Sequence, residues 1–169
     1  NCSKNAVEYL THSKERIEKR EKMTLGALEG LKEMLKLSRL NRIECFDISH
    51  ISGEFSVASM VVFEAGEPAY KEYRKFKIKT VVGNDDYASL KEVLTRRLTD
   101  LKECKENFNK RPDLIVIDGG FGQLHSVKQI LDDLEIDIPL ISLAEKNEEI
   151  CTTILLFFAH ISQTHYLCS

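Results

Sequence analysis

The chain has 169 residues, of which 43% are hydrophobic and 30% charged, a balance typical of one globular domain with an appendage. Its formal net charge of -3 excludes binding of nucleic acid through overall positive charge, so any such binding depends on local basic patches. Five widely spaced cysteines, with no Cys-x-x-Cys pair and no signal peptide, predict reduced thiols and a cytoplasmic protein. The longest apolar stretch, residues 154–161, is far shorter than the roughly 20 residues that cross a bilayer, so we expect no membrane span.

The first part of the chain has the pattern of a helix. No proline occurs from Lys4 to Leu37, and apolar residues recur at helical spacing among charged ones. This pattern predicts one long helix or two in series. We interpret residues 1–39 as a helical connector, because a charged helix of this kind often links domains or packs on a partner.

From Asn41 onward the pattern changes to strands and then to alternating helices and strands. Short links between the first strands predict an antiparallel meander, and the later crossovers predict strands parallel to the first. The predicted class is therefore α/β, a mixed sheet flanked by helices. The predicted strands are Arg42–Ser49, Ser56–Glu64, Tyr70–Ile78, Leu114–Ile117 and Pro139–Leu143, and the predicted helices run from Asp85 or Asp86 to about Cys104 and from Gln123 to Leu134.

Two of the buried strands each carry an acid. Asp47 follows an apolar row in the first strand, and Asp118 ends the strand Leu114–Ile117. A buried carboxylate is costly unless a cation or hydrogen-bond donors meet it, so two such strands side by side suggest a divalent metal site. Asp86, at the start of the intervening helix, is a candidate third ligand. Three carboxylates suit Mg²⁺ or Mn²⁺, and phosphodiester hydrolysis is the matching reaction.

Residues around these acids have the character of a phosphate-binding surface. Gly119 and Gly120 lack side chains that would obstruct a phosphate backbone. Lys75, Lys77 and Lys79 alternate onto one face of a strand, with Arg74 and Lys71 nearby. Each feature also has a structural interpretation. Asp85 and Asp86 are good helix caps, Asp-Gly-Gly often only ends a strand, Asp47 could be a hydrogen-bonded structural acid, and a lysine face is usually solvated surface.

Six ordered motifs resemble one known family. They are Ile-Glu-Cys-Phe-Asp-Ile-Ser-His from Ile43, Val-Ala-Ser-Met-Val-Val-Phe from Val57, Glu-Tyr-Arg-Lys-Phe from Glu72, Asp-Asp-Tyr-Ala-Ser from Asp85, Leu-Thr-Arg-Arg from Leu94, and Asp-Gly-Gly-x-Gly-Gln-Leu from Asp118. Together they resemble the C-terminal endonuclease half of UvrC, a subunit of bacterial nucleotide excision repair. The resemblance covers about residues 5–150. It implies a ribonuclease H-like fold over residues 40–150 and incision of damaged DNA on the 5′ side of a lesion, in a complex where UvrA has loaded UvrB.

The resemblance also implies roles for particular residues. Asp47, Asp86 and Asp118 match the family's acidic site, which implies catalysis with Mg²⁺ or Mn²⁺. Arg96 and Arg97 match a basic pair that could face DNA. The candidate DNA-binding set that results is Arg74, Lys75, Lys77, Arg96, Arg97, Gly119, Gly120 and Gln123.

Four features of the sequence leave an alternative open. The family's helical Arg-Asp-Glu-Ala-His-Arg-Phe motif, whose histidine completes the metal site, is not found here, and neither is the tandem helix-hairpin-helix region. Phe121 stands where the family usually has a basic residue, and residues 151–169 form an atypical tail that a truncation or a shifted reading frame would explain. The alternative is therefore an inactive fragment that keeps only a DNA- or protein-binding surface.

Overall fold

A computed structural model describes residues 2–51, 55–81, 83 and 85–143 of the chain. The chain divides into two compact units, Asn1–Ser38 and Arg39–Ser169. The predicted atypical tail, residues 151–169, lies outside the described residues. Among those that are described, no helix is both long enough and apolar enough to span a membrane.

The first unit is built on a single helix, α1, Cys2–Met34. The prediction left open one helix or two, and the structure has one. Two residues after the helix, Lys36 adopts a positive φ of 52° and turns the chain away. Here the Leu37 N–H donates to the Lys32 carbonyl and the Lys36 N–H donates to the Glu33 carbonyl, each over 3.0 Å. This pair of bonds is the Schellman ending, which satisfies carbonyls that the last turn leaves unpaired.

The second unit contains a six-stranded mixed sheet of order β3-β2-β1-β5-β6, with β4 also paired to β2. The pair β1 and β2 is antiparallel, whereas β5 lies parallel to both β1 and β6. The α/β prediction of a mixed sheet flanked by helices is confirmed. The element bounds are β1 Arg42–Ile51, β2 Phe55–Glu64, β3 Glu67–Pro68, β4 Arg74–Lys77, α2 Asp86–Lys102, β5 Leu114–Asp118, α3 Phe121–Asp133 and β6 Leu140–Leu143.

The main hydrophobic core lies between one face of the sheet and the helices α2 and α3. Alternate strand residues point to opposite faces of a sheet, and Phe46, Met60 and Ile117, which pair across β1, β2 and β5, all belong to this core. The helices contribute an apolar stripe that includes Leu94 and Val127. Residues that follow Phe46 and Ile117 in sequence therefore project from the opposite face.

The predicted strand Tyr70–Ile78 is wrong in its first half. Residues Tyr70–Glu72 form a 3₁₀ turn, and only Arg74–Lys77 is a strand. The Ala69 N–H still donates to the Val62 carbonyl over 2.8 Å, but the Glu72 N–H then turns back to the Ala69 carbonyl. Pro68, which has no N–H to give to a ladder, ends the short strand before the turn.

Candidate active site

The acids Asp47, in the middle of β1, and Asp118, the last residue of β5, lie on two neighbouring parallel strands. Phe46 pairs with Ile117 in the parallel register of β1 and β5, so the next residue on each strand is an acid. Neighbouring strands are about 4.8 Å apart. Both acids follow core residues and thus project from the face opposite α2 and α3. Asp47 is half-buried and Asp118 is exposed, so the pair lies at the boundary between the sheet and solvent.

Asp86 is the first residue of α2, and a side-chain contact links this helix start to the turn after β5. Asp85 caps the helix, with its carboxylate accepting the Ala88 N–H over 3.0 Å. Tyr87 lies against Gly122 at the start of α3, where a Cβ on Gly122 would be 2.8 Å from the tyrosine hydroxyl oxygen. The Asp-Asp-Tyr and Asp-Gly-Gly-x-Gly motifs therefore meet in space.

The described residues contain no group of three or more His, Cys, Asp or Glu side chains that could hold a metal ion. The structure places Asp47 and Asp118 on adjacent strands, and among the described residues Asp86 does not form a three-acid cluster with them. The chemistry of the pair still fits a hard divalent cation, because carboxylate oxygens are the ligands that Mg²⁺ and Mn²⁺ prefer.

The turn after Asp118 is held by the side chain of Gln123. Its Oε1 accepts the Gly120 N–H over 2.7 Å, at the start of α3. Gly119 leaves room for this arrangement, because a Cβ there would be 1.9 Å from Gln123 Oε1. Gln123 is buried, and its side-chain oxygen is already bonded to the backbone of this turn. Its proposed contact with DNA stays a prediction, as do those of Gly119 and Gly120.

Two of the candidate DNA-binding lysines share the face of the sheet that carries the acid pair. Lys75 pairs with Ser59 on β2, and Ser59 pairs with Asp47 on β1, so the three form one row across the sheet. Lys77 pairs with Val57 one step further along the same face. Both lysines are exposed. Two strand spacings separate Lys75 from Asp47, which is about 10 Å.

Two further candidate arginines donate hydrogen bonds to backbone carbonyls. They are Arg74, the first residue of β4, and Arg96, on α2. Arg74 donates to the carbonyls of Lys71 and Tyr73, over 2.7 and 2.8 Å. Arg96 donates to the Lys77 carbonyl over 3.0 Å and keeps 37% of its side chain exposed. Both retain donors that a phosphate could accept from, and their DNA contacts stay predictions.

Arg97, in contrast, does not face solvent, and its predicted DNA contact is wrong. Only 1% of its surface is exposed. Its Nε and Nη2 donate to the Glu44 carboxylate over 3.0 and 2.7 Å, and its remaining donors reach the carbonyls of Phe108 and Lys110. Glu44, also 1% exposed, binds Arg42 as well, over 3.0 Å. Buried charges need such partners.

Sequence reasoning missed this buried network, although a signal for it is present. Leu90, Leu94, Arg97, Leu98 and Leu101 recur at the spacing of three and four that marks the inner face of a helix. An arginine on that face must find an acid. Glu44, which shares a strand face with the core residue Phe46, is the matching carboxylate.

Cys45 lies between Glu44 and Phe46 on β1. It is buried, and burial together with the neighbouring Glu44 carboxylate raises the pKa of its thiol well above the usual value. A thiol that is both inaccessible and protonated does not act as a nucleophile or a metal ligand. Cys45 therefore takes no part in the chemistry of the acid pair.

The mixed sheet, the flanking helices and the acids on two adjacent strands are those of a ribonuclease H-like α/β protein. The sequence matches the UvrC RNase H endonuclease domain over residues 32–166. The chain belongs to this family.

Curated relatives agree with this assignment. The chain is 49% identical to UvrABC system protein C of Syntrophomonas wolfei over 134 residues, which are 79% of the chain and 22% of that relative. It is 47% identical to UvrABC system protein C of Streptococcus pyogenes over 157 residues, 92% of the chain and 26% of that relative. The chain thus spans about a quarter of the length of these relatives.

Among solved structures, the chain is similar to Ciona intestinalis endonuclease V, in complex with a DNA that contains an inosine followed by a ribo-adenosine. The sequence identity is 18%, the TM-score is 0.44, and the similar region covers 79% of this chain and 59% of that one.

Proposed function

We propose that this chain is a metal-dependent DNA endonuclease domain, with residues 40–150 as the nuclease and residues 1–39 as a connector. The observation that carries the proposal is the register of β1 and β5, in which Phe46 pairs with Ile117 and the next residue on each strand is an acid, Asp47 or Asp118. Membership of the UvrC RNase H endonuclease domain family supports the reaction class.

In this proposal Asp47 and Asp118 are the principal ligands of Mg²⁺ or Mn²⁺, and Asp86 assists them. When bound, such a cation supplies an activated water and offsets the negative charge that develops on a phosphate. Asp86 lies at the start of α2, and the contact of Tyr87 with Gly122 keeps that helix start beside the turn that follows Asp118. At Gly120 a Cβ would meet nothing within 4 Å, which leaves space for a phosphate beside this turn.

The proposed substrate is damaged DNA, cut on the 5′ side of the lesion. The proposed partners are UvrB, already bound to the DNA, and UvrA, which loads it. The names of the curated relatives, which assign them to a UvrABC system, support this context. The lysine face beside Asp47 supports contact with a phosphate backbone, because Lys75 lies in the same row as the acid.

Calorimetric titration with Mn²⁺ tests the metal site directly. The intact chain should bind Mn²⁺, and Asp47→Asn and Asp118→Asn should each remove the binding, because each substitution takes away one of two adjacent carboxylates. Asp133→Asn, an exposed acid at the end of α3, is the matched control and should bind as the parent does. Equal binding by all four proteins would refute a site at these two acids.

An incision assay tests the activity. With UvrA, UvrB and a lesion-bearing duplex, the chain should cut the damaged strand on the 5′ side, and Asp118→Asn should abolish the cut while leaving the fold intact by circular dichroism. If the parent chain binds Mn²⁺ but does not cut, the proposed activity of this chain is refuted and the inactive-fragment alternative is favoured.

A further inference from the structure

A groove of about 710 Å³ lies between the segment after β4 and the helix α2. It is formed on one side by residues 79–81 and on the other by α2. The charged side chains along it are those of Lys79, Asp85, Lys91, Glu92 and Arg96.

The two acids of this groove, Asp85 and Glu92, accept hydrogen bonds from other groups of the protein. The Glu92 carboxylate accepts the N–H groups of Lys79 and Thr80, each over 2.9 Å, and the Thr80 hydroxyl over 2.6 Å. Burial alone would raise the pKa of Glu92, but these hydrogen bonds and the nearby Arg96 outweigh it and lower the pKa below its usual value. Asp85 is likewise engaged as the cap of α2.

The two lysines of the groove, in contrast, are exposed and have no acid as a partner. Within the part of the chain that the structure describes, neither Lys79 nor Lys91 forms an ion pair. Three other lysines of the same unit are neutralised: Lys105 binds Asp100, Lys110 binds Glu72 and Lys128 binds Asp132. Positive charge is therefore left uncompensated along this groove.

One wall of the groove begins at Asp85, next to the candidate ligand Asp86. Asp85 lines its end, and Asp86 follows at the first position of α2. Arg96 lies ten residues further along the helix, which at 1.5 Å per residue is about 15 Å away. The cations are thus spread along a line that leads to an acid of the site. This arrangement suits a chain of phosphates better than a single anion.

We infer that this groove binds the phosphate backbone of a nucleic-acid strand and guides the strand toward Asp86. Lys79, Lys91 and Arg96 supply the phosphate contacts, and the hydrogen-bonded Glu92 fixes the wall that carries Lys79. The inference rests on the proposed nuclease function, for which it specifies the path of the substrate. An acidic protein segment is the competing ligand.

The test compares two double variants that change the net charge by the same amount. Lys79→Gln with Lys91→Gln removes the uncompensated charges, and Lys105→Gln with Lys128→Gln removes two compensated ones. The probe is a fluorescent single-stranded oligothymidylate, titrated in EDTA between about 50 and 200 mM salt. The groove variant should lower the slope of log affinity against log salt by about 1.4, since each phosphate contact on a single strand contributes about 0.7. The control variant should keep the parental slope.

Equal slopes for the two variants, or no binding of the oligonucleotide by the parent chain, would overturn the inference. Loss of binding to polyglutamate together with an unchanged DNA slope would instead assign the groove to an acidic protein segment. Mn²⁺ calorimetry on the same proteins separates this inference from the proposed function. The groove variant should bind Mn²⁺ normally, whereas Asp47→Asn should lose Mn²⁺ and keep the parental salt slope.

Discussion

Gly119 and Gly120 follow Asp118 directly, but they have different surroundings. A Cβ on Gly119 would collide with the Gln123 side chain at 1.9 Å, whereas a Cβ on Gly120 would meet nothing within 4 Å. Gly120 also has an ordinary φ of -80°, which alanine adopts without strain. Of the two glycines, only Gly119 has a neighbouring side chain that an added Cβ would displace.

We predict that Gly119→Ala destabilises the protein and that Gly120→Ala does not. Gly119→Ala displaces Gln123 and breaks its bond to the Gly120 N–H, which should lower the free energy of unfolding by about 1–3 kcal/mol. Gly120→Ala should change it by no more than about 0.5 kcal/mol. Urea unfolding of the two variants is the measurement. A larger loss for Gly120→Ala than for Gly119→Ala would show that the turn is held in another way.

At the scale of elements, the buried pair of Glu44 and Arg97 fixes α2 on β1. Glu44 lies three residues before Asp47 on β1, and Arg97 lies eleven residues after Asp86 on α2. The bidentate contact therefore sets the helix that carries one acid against the strand that carries another. A planar guanidinium fork on a carboxylate is specific in direction as well as in distance.

We predict that Arg97→Met lowers the free energy of unfolding by about 3–5 kcal/mol, because it leaves the Glu44 charge buried with one partner fewer. The adjacent Arg96→Met is the control. Arg96 is partly exposed, so its loss should cost about 1 kcal/mol or less. Chemical denaturation measures both. Similar losses for the two variants would contradict a special role of the buried pair.

The three helices end in the same way, and none uses glycine. Lys36, Cys104 and Glu135 all have positive φ values, between 52° and 56°. After α3, the Ile136 N–H donates to the Leu131 carbonyl and the Glu135 N–H donates to the Asp132 carbonyl. The left-handed conformation at this position costs a residue with a side chain about 1 kcal/mol, which glycine avoids.

Glu135→Gly should therefore stabilise the protein by up to about 1 kcal/mol. Gln129→Gly, at an exposed position inside α3, should destabilise it by about 1 kcal/mol, because glycine is a poor helix former there. Thermal unfolding followed by circular dichroism distinguishes the opposite signs. Destabilisation by both substitutions would mean that the Glu135 side chain contributes more than its backbone strain costs.

These elements show how far the sequence alone leads. Hydrophobic periodicity was sufficient for the order of strands and helices, because Leu114–Ile117 and the stripe on α2 follow simple periods. It failed at Tyr70–Glu72, where a preceding proline favours a turn over β propensity. Sequence analysis also failed at Arg97, because a charged residue is expected to be exposed unless a buried partner such as Glu44 is known. The adjacency of Asp47 and Asp118 followed from topology, whereas the position of Asp86 depends on helix packing that no local pattern encodes.

At the scale of the whole molecule, the net charge of -3 hides an uneven distribution. Within the described part of the second unit, Lys110 and Lys128 are compensated by acids, while Lys79 and Lys91 are not. The acid pair adds negative charge to the same unit. A bound cation would offset that charge, so we expect metal binding and nucleic-acid binding to reinforce each other.

The same acid pair predicts that Mn²⁺ stabilises the entire fold. A ligand that binds only the native state adds RT ln(1 + [L]/Kd), about 2.7 kcal/mol when its concentration is a hundred times its Kd. Differential scanning calorimetry should therefore show a melting temperature that rises with Mn²⁺ concentration and returns to the starting value on addition of EDTA. Asp47→Asn and Asp118→Asn should each lose the rise, and Asp133→Asn should keep it. If Asp47→Asn is stabilised by Mn²⁺ as strongly as the parent, the ion binds elsewhere, because this substitution removes one of the two proposed carboxylate ligands.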